Sequence, residues 1–298
     1  MENCLVTTLK GVVDNDNLLK IGEMRIFIHQ LDSPSETTQK FTIKTSGAVI
    51  LTPIGGTIGT SYGSLSTSPI TVNNAEQTVY FSNSNFYIKV SDKYLITQIV
   101  KGGRYANVGV DVNELAYSAL VKLTLASPYV EGSLAAFKNT SITDLIIATS
   151  SVKGSLKDIS SLPIGVLNVS DTTIAGSLSD ISSMNTLGTL YTTNTGITGN
   201  LNSLPKNIIN AELNSLISGS INDMTGYSKL QNCSMPKGIT GALETLAQNL
   251  ATAGNNKKNV KITFNDFLCT LNGNPITSYT VYIHLDGSTP TIDYTQKA

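Results

Sequence analysis

The chain is poor in the residues that do chemistry. It has no tryptophan, two histidines and three cysteines among 298 residues, and only 14% of its residues are charged. Each shortage excludes something. With a formal net charge of -1 there is no basic excess of the kind that nucleic acids and anionic membranes select. No run of 18 apolar residues occurs, so no segment reads as a transmembrane helix and no membrane insertion is expected. Cys4, Cys233 and Cys269 are an odd number, scattered without the close pairs that metal sites use. They read as reduced structural thiols, with no metal bound. The stretch MENCLVTTLKGVVDNDN has an acidic residue at position 2 and no apolar core, so no secretory leader is expected. No GxxxxGK, HExxH, CxxC or EF-hand pattern is present, and no cofactor is expected.

One catalytic-looking pattern does occur. Gly59-Thr60-Ser61-Tyr62-Gly63 matches GxSxG, whose serine needs a strand before it and a helix after it to sit on a sharp turn. Here PIGGTI precedes and GSLSTSP follows, which read as Gly/Ser loop. The two histidines, His29 in FIHQLD and His284 in YIHLDG, lie inside alternating runs far apart in sequence. Such positions read as half-exposed strand residues rather than as a base for Ser61. The expectation is a protein that is not an enzyme.

What the chain has in abundance is a repeat. An aliphatic, a variable residue, glycine, a small residue and an aliphatic recur as VEGSL (Gly132), VKGSL (Gly154), IAGSL (Gly176), ITGNL (Gly199), ISGSI (Gly219) and ITGAL (Gly241). The glycines are 22, 22, 23, 20 and 22 residues apart. Nine and seven positions upstream of the glycine stand two further aliphatics: Leu123 and Leu125, Leu145 and Ile147, Leu167 and Val169, with Leu190 and Thr192 fitting half. Alternation over so few residues predicts a short strand with one buried face. A unit of that size cannot bury its own core, so neighbours must stack into a solenoid.

Period and pattern resemble the leucine-rich-repeat family, with its LxxLxLxxNxL unit. LIIATSSVKGSL (Leu145 to Leu156) and LNVSDTTIAGSL (Leu167 to Leu178) match it, and the glycine after the last aliphatic is similar to the plant-type variant. The family's asparagine would fall four residues before each glycine, where this chain has Ser150, Thr172, Thr195 and Ser215. A hydroxyl there is expected to bridge adjacent coils, more weakly than an amide would. Ala211 and Leu213 fit only with a residue deleted, and LQNCSMPKGIT needs an insertion, so the last units read as a fraying end of an array spanning about 110 to 255.

The expected fold class is mainly β, in three parts. Residues 1 to 105 carry the alternating runs MRIFIHQ, KFTIKT, AVILT, QTVYFS and FYIKVS between Gly, Ser, Asn and Pro clusters, which predict a β-sandwich or small barrel. Residues 106 to 255 form the solenoid, opened by a helix over NELAYSALVKL behind an Asn113 cap. Residues 256 to 298 form a short β cap with a turn at Asn272-Gly273.

With no active site in view, the candidate functional surface is the outward face of the stacked strands. Its rows are Lys122, Asp144, Val166 and Thr189; Thr124, Ile146, Asn168 and Tyr191; and Ala126, Ala148, Ser170 and Thr193. One aromatic and few charges make it unlike a tight protein interface. The layout as a whole, with TTLKGVVDNDNLLKIGEMRIF at the start and repeats such as IAGSLSDISSM, resembles leucine-rich-repeat proteins of gut Bacteroidetes and their crAss-like tailed bacteriophages. The resemblance implies a virion component: a head fibre, decoration or tail-associated protein held to other virion proteins by its N-terminal domain. Its solenoid would meet a host-surface glycan or protein, and a homo-oligomer is compatible with it. A bacterial surface adhesin and an esterase-like hydrolase on Ser61 stay open as alternatives.

Overall fold

The computed structural model describes residues 22–35, 37, 39–101, 107–255, 259–264, 268–276, 279–287 and 289–296. Cys4 and the N-terminal stretch read above for a leader lie outside the described residues. The chain is mainly β and separates into two compact units, Met1–Lys153 and Gly154–Ala298.

The first unit contains β1 (Met24–Ile28), β2 (Lys40–Thr45), β3 (Ala48–Ile54), β4 (Ile58–Gly59), β5 (Ile70–Asn73), β6 (Glu76–Phe81), β7 (Phe86–Val90), β8 (Ile96–Lys101), β9 (Val108–Asp111), β10 (Lys122–Leu125), β11 (Val130–Glu131) and β12 (Asp144–Ile146). One sheet runs β11-β9-β1-β7-β3-β5, and the unit's other strands run β12-β10-β8-β2-β6-β4. Neither closes on itself, which removes the barrel alternative. All five alternating runs form strands, and their inward apolar residues, such as Ile26, Ile43, Leu51 and Phe81, are fully buried, while Ile50 on the other face of β3 is exposed. The strands here pair antiparallel with partners distant in sequence, as in β2 with β6 across the intervening β3, β4 and β5. Parallel pairing enters with β8 and β10, β10 and β12 in the register Lys122↔Asp144 and Thr124↔Ile146, and β9 and β11.

The helix expected from Asn113 is a single 3-10 turn, Val112–Leu115. Asp111, not Asn113, caps it by accepting from the Asn113 N–H. The turn ends because Tyr117 takes a left-handed φ of 62°, and Leu123 and Leu125 are claimed by β10. Asn113 instead offers its side-chain oxygen to the backbone N–H of Ser133, one repeat on.

The second unit holds two sets of parallel strands. The first comprises β13 (Val166–Asn168), β15 (Thr189–Tyr191), β17 (Asn210–Glu212), β19 (Asn232–Met235) and β21 (Val260–Phe264), each paired in parallel with the next. The second comprises β14 (Ala175–Ser177), β16 (Gly196–Asn200) and β18 (Ile217–Ser218), then β20 (Thr240–Ala242) with β22 (Leu268–Leu271). Antiparallel strands close the unit: β23 (Asn274–Ile276) on β22, and β24 (Tyr279–His284) on β21, followed by β25 (Thr291–Gln296). The turn between β22 and β23 falls at Asn272 and Gly273, with φ of 52° and 77°, as the Asn-Gly pair predicts.

The repeat signature has a local physical explanation. All six signature glycines lie at positive φ, between 108° and 130°. The small residue after each is in most cases the N-cap of a helical turn. Ser155 accepts from the Lys157 N–H and Ser177 from the Ser179 N–H. Asp158 and Asp180 reach back to the N–H of Ser155 and Ser177, both at 2.8 Å. GSLKD and GSLSD are therefore the same capping box written twice. Glycine is required before it: a Cβ on Gly176 would sit 2.8 Å from Ser155 Oγ and 3.0 Å from the Leu156 nitrogen of the preceding coil. The aliphatics that follow, Leu156, Leu178, Leu201, Ile221 and Leu243, are fully buried. In the last repeat the turn lengthens into the helix Leu243–Thr252, which buries Leu243, Leu246, Ala247 and Leu250 at helical spacing.

The hydroxyls four residues before the glycines do not bridge coils as expected. Thr172 Oγ1 donates to the Val169 carbonyl at 2.6 Å and accepts from the Ile174 N–H at 3.3 Å, and Thr195 repeats this with Thr192 and Ile197. Each hydroxyl is short enough to satisfy its own turn and does so. Ser215 is exposed and has no such role; Asn214 beside it is buried, and its Nδ2 donates to the Thr195 and Ile197 carbonyls of the previous repeat, both at 2.8 Å. At this turn the bridging amide is Asn214, where the repeat is shorter.

Candidate functional site

In the first unit, Lys122 and Thr124 stand on β10 beside Asp144 and Ile146 on β12, as the sequence predicts. The face is only half open there. Asp144 is engaged by the Thr143 hydroxyl at 2.7 Å, and the Thr124 hydroxyl is buried between Val100 and Ile146 without a hydrogen-bond partner. A depression of about 300 Å³ opens beside it, lined by Thr37, Lys40, Thr42, Thr78, Val100 and Lys101. Lys101 is buried, donates to the Lys40 carbonyl at 2.8 Å and lies 5.6 Å from the Phe81 ring centre. Burial, and then the neighbouring Lys40, bring its amine down to about 8.

In the second unit, strand register sets two outward rows: Val166, Thr189, Asn210, Asn232 and Lys261; and Asn168, Tyr191, Glu212, Ser234 and Thr263. Of the predicted surface residues here, Asn168 turns its side-chain oxygen back onto the Ser170 N–H, and Ser170 is buried, so it offers nothing outward. Ala148, placed in the same row, is buried as well. Thr193 is exposed. Tyr191 borders a depression of about 270 Å³ whose other polar walls are Asn210, Glu212, Asn232, Ser234, Lys261 and Thr263. Asn232 Nδ2 donates to Asn210 Oδ1 at 2.7 Å, which joins neighbouring strands through their side chains.

Those six walls were missed in the sequence for one reason. The deleted residue after Leu213 puts the fifth and sixth repeats out of phase, and the run KITF reads as a cap although Lys261 and Thr263 continue the rows. Aligning NCSM with KITF, residue on residue as β19 and β21 pair, would have extended them.

The other candidates are not assembled into chemistry. Ser61 is extended, with φ of -144° and ψ of 161°, so it lacks the strained elbow, and its hydroxyl donates to Ser64 Oγ at 2.9 Å. His29 stacks on Tyr129 with ring centres 3.6 Å apart, its Nε2 buried without a hydrogen-bond partner. Burial lowers its pKa to about 4, the wrong direction for a base that must bind a proton near neutrality. His284 pairs with Asp293 at 2.9 Å on the β24–β25 hairpin. Cys233 and Cys269 are free and buried, and burial pushes both thiols up to about 12, which leaves them protonated and inert. Among the described residues no three His, Cys, Asp or Glu side chains converge as a metal site, and no helix is long and apolar enough to cross a membrane.

No family model and no curated protein matches the chain. Among solved structures it is similar to the crystal structure of a plant ice-binding protein, at 14% identity and a TM-score of 0.39, over 59% of this chain and 65% of that one. The chain thus spans less than two thirds of that structure's length.

Proposed function

We propose that this is a non-enzymatic recognition protein of the leucine-rich-repeat class, carried on a bacteriophage particle, with the repeats stacked as a solenoid that displays its outward strand face. The observation that carries the reading is the repeat geometry. One short strand per repeat pairs in parallel with its counterpart, each signature glycine turns the chain at positive φ, and a capped helical turn follows. Such a unit holds itself together through its backbone and inward aliphatics, so its outward residues are free to serve a ligand. The strand-rich segment 1 to 105 is the attachment module for other virion proteins, and the host-surface ligand is a glycan or protein. Between Lys122 and Glu244 seven lysines face eight acids, so the surface cannot steer by charge. Binding is then weak per copy and strengthened by many copies on one particle.

The test uses particles lacking the protein. Full chain and a variant chain altered on the exposed strand face should both dock onto such particles, with only the former restoring attachment to cells. Failure of the full chain to associate with any particle sinks the virion assignment. Turnover of an ester panel that vanishes in Ser61→Ala would sink the non-enzymatic reading.

A further inference from the structure

The depression bordered by Tyr191 in the second unit has a chemistry specific enough to name its ligand. We infer that it is a subsite for a neutral, polyhydroxylated sugar ring of a surface glycan; this deepens the host-recognition reading and rests on it.

The backbone there has nothing to offer a peptide. β15, β17 and β19 are each paired on both sides, and β21 lies between β19 and β24, so no strand edge is open for β-addition. Recognition must come from side chains. These are of complementary kinds: Glu212 only accepts hydrogen bonds, Lys261 only donates, and the Asn210–Asn232 pair does both. In that pair Asn232 spends one donor on Asn210 Oδ1, so the Asn210 amide hydrogens and the Asn232 side-chain oxygen take no part in that bond. A ligand that satisfies acceptor-only, donor-only and mixed groups side by side must carry several groups that each donate and accept. Adjacent hydroxyls on a ring do this; a phosphate, sulfate or ammonium group does not.

Charge and size point the same way. Glu212 and Lys261 are both exposed and form no ion pair among the described residues, so the site is neutral as a sum while each charge keeps its hydrogen-bonding capacity. A strongly anionic ligand would meet Glu212, and a cationic one Lys261. Tyr191 supplies a flat apolar surface with a polar tip, which suits the C–H face of a sugar ring. At about 270 Å³ the space lies just below the roughly 300–1,000 Å³ of drug-sized sites, room for one or two rings rather than a long chain.

The experiment displays the full chain at high density on beads and offers it an array of neutral, sialylated and sulfated glycans, alongside Bacteroidetes cells treated with periodate, which cleaves vicinal diols, or with protease. The expected result is capture of neutral glycans and of cells, lost after periodate and kept after protease. Tyr191→Ala and Lys261→Ala each weaken capture at least tenfold, Ser183→Ala, exposed and away from the depression, leaves it unchanged, and raising salt tenfold changes it less than twofold. Capture of charged glycans alone, capture indifferent to both variants, or no glycan capture overturns the sugar subsite. If cells are still captured after periodate but not after protease, the sugar subsite falls and host recognition stands. If untreated cells are not captured at all, host recognition falls.

Discussion

Replacing Gly176 by alanine measures how closely successive coils approach. Two costs add. The backbone at φ of +117° lies outside the regions L side chains adopt, which costs about 1–3 kcal/mol. The new Cβ would also stand 3.0 Å from the Leu156 nitrogen and 2.8 Å from Ser155 Oγ, which caps the preceding helical turn. Pushing that hydroxyl off its cap costs roughly 1 kcal/mol more. Loss of glycine's freedom in the unfolded chain returns about 0.4–1 kcal/mol. The sum is a destabilisation of about 1–3.5 kcal/mol. Gly238→Ala is the matched control, since Gly238 has φ of +78° and a Cβ there would meet nothing within 4 Å. It carries the left-handed strain alone, about 1–2 kcal/mol less the same unfolded-state return. Urea unfolding at 25 °C, with folding checked by circular dichroism, should place Gly176→Ala at least about 1 kcal/mol below Gly238→Ala, given those terms. Equal losses at the two positions would refute the claim that the signature glycine is needed for close stacking.

Two other positions test the assignment of polar groups. Asn214→Ala strands the Thr195 and Ile197 carbonyls and should cost around 2–3 kcal/mol in the same assay, whereas Ser215→Ala should stay within about 0.5 kcal/mol; the reverse order would return the bridging role to Ser215. His29, held at about 4 by burial against roughly 6.5 when unfolded, favours the folded state fully above pH 6.5, and that share is lost as pH falls from 6.5 to 4. The two values set a ceiling near 3 kcal/mol, and the ring's partial exposure cuts it to about 1–2. His29→Phe, which keeps the stack on Tyr129, should therefore flatten the pH dependence of the urea midpoint between pH 7 and 4, and an unchanged slope would count against it.

The repeat was legible because its two constraints are strict in residue type. Only glycine tolerates the backbone at Gly154 and Gly176, and only an aliphatic fills the position of Leu156 and Leu178. Both leave a mark on the page wherever they act. The capping residues left an equally clear mark, Ser then Asp three on, in GSLKD and GSLSD. The helix over Leu243–Thr252 was hidden for another reason: it occupies a repeat position that elsewhere takes a single turn, so the array pattern masked the helical spacing of Leu243, Leu246, Ala247 and Leu250. Half-fits were informative as well. Thr192 stands where other repeats have an aliphatic, and it is tolerated in the core because its hydroxyl donates to the Glu212 carbonyl and accepts from the Asn214 N–H.

The candidate site was harder to read because outward residues obey no such rule. Asn168 and Asn232 both stand on the outward face, in different rows: Asn168 ends β13 and accepts from the Ser170 N–H, while Asn232 opens β19 and reaches across to Asn210. Nothing in the residue type separates the two; the difference lies in place, since Asn168 adjoins the turn in which Asp171 takes a left-handed φ of 56°, whereas Asn232 starts its strand. With the hydroxyls at Thr172 and Thr195 bonded within their own turns, coil-to-coil cohesion in this unit is left mainly to strand pairing, buried aliphatics and the glycine approach. Within the outward rows Asn232 adds a side-chain link to Asn210. Outward residues outside that pair, such as Tyr191 and Thr263, can then change with little loss of fold, in contrast to Gly176 or Leu178.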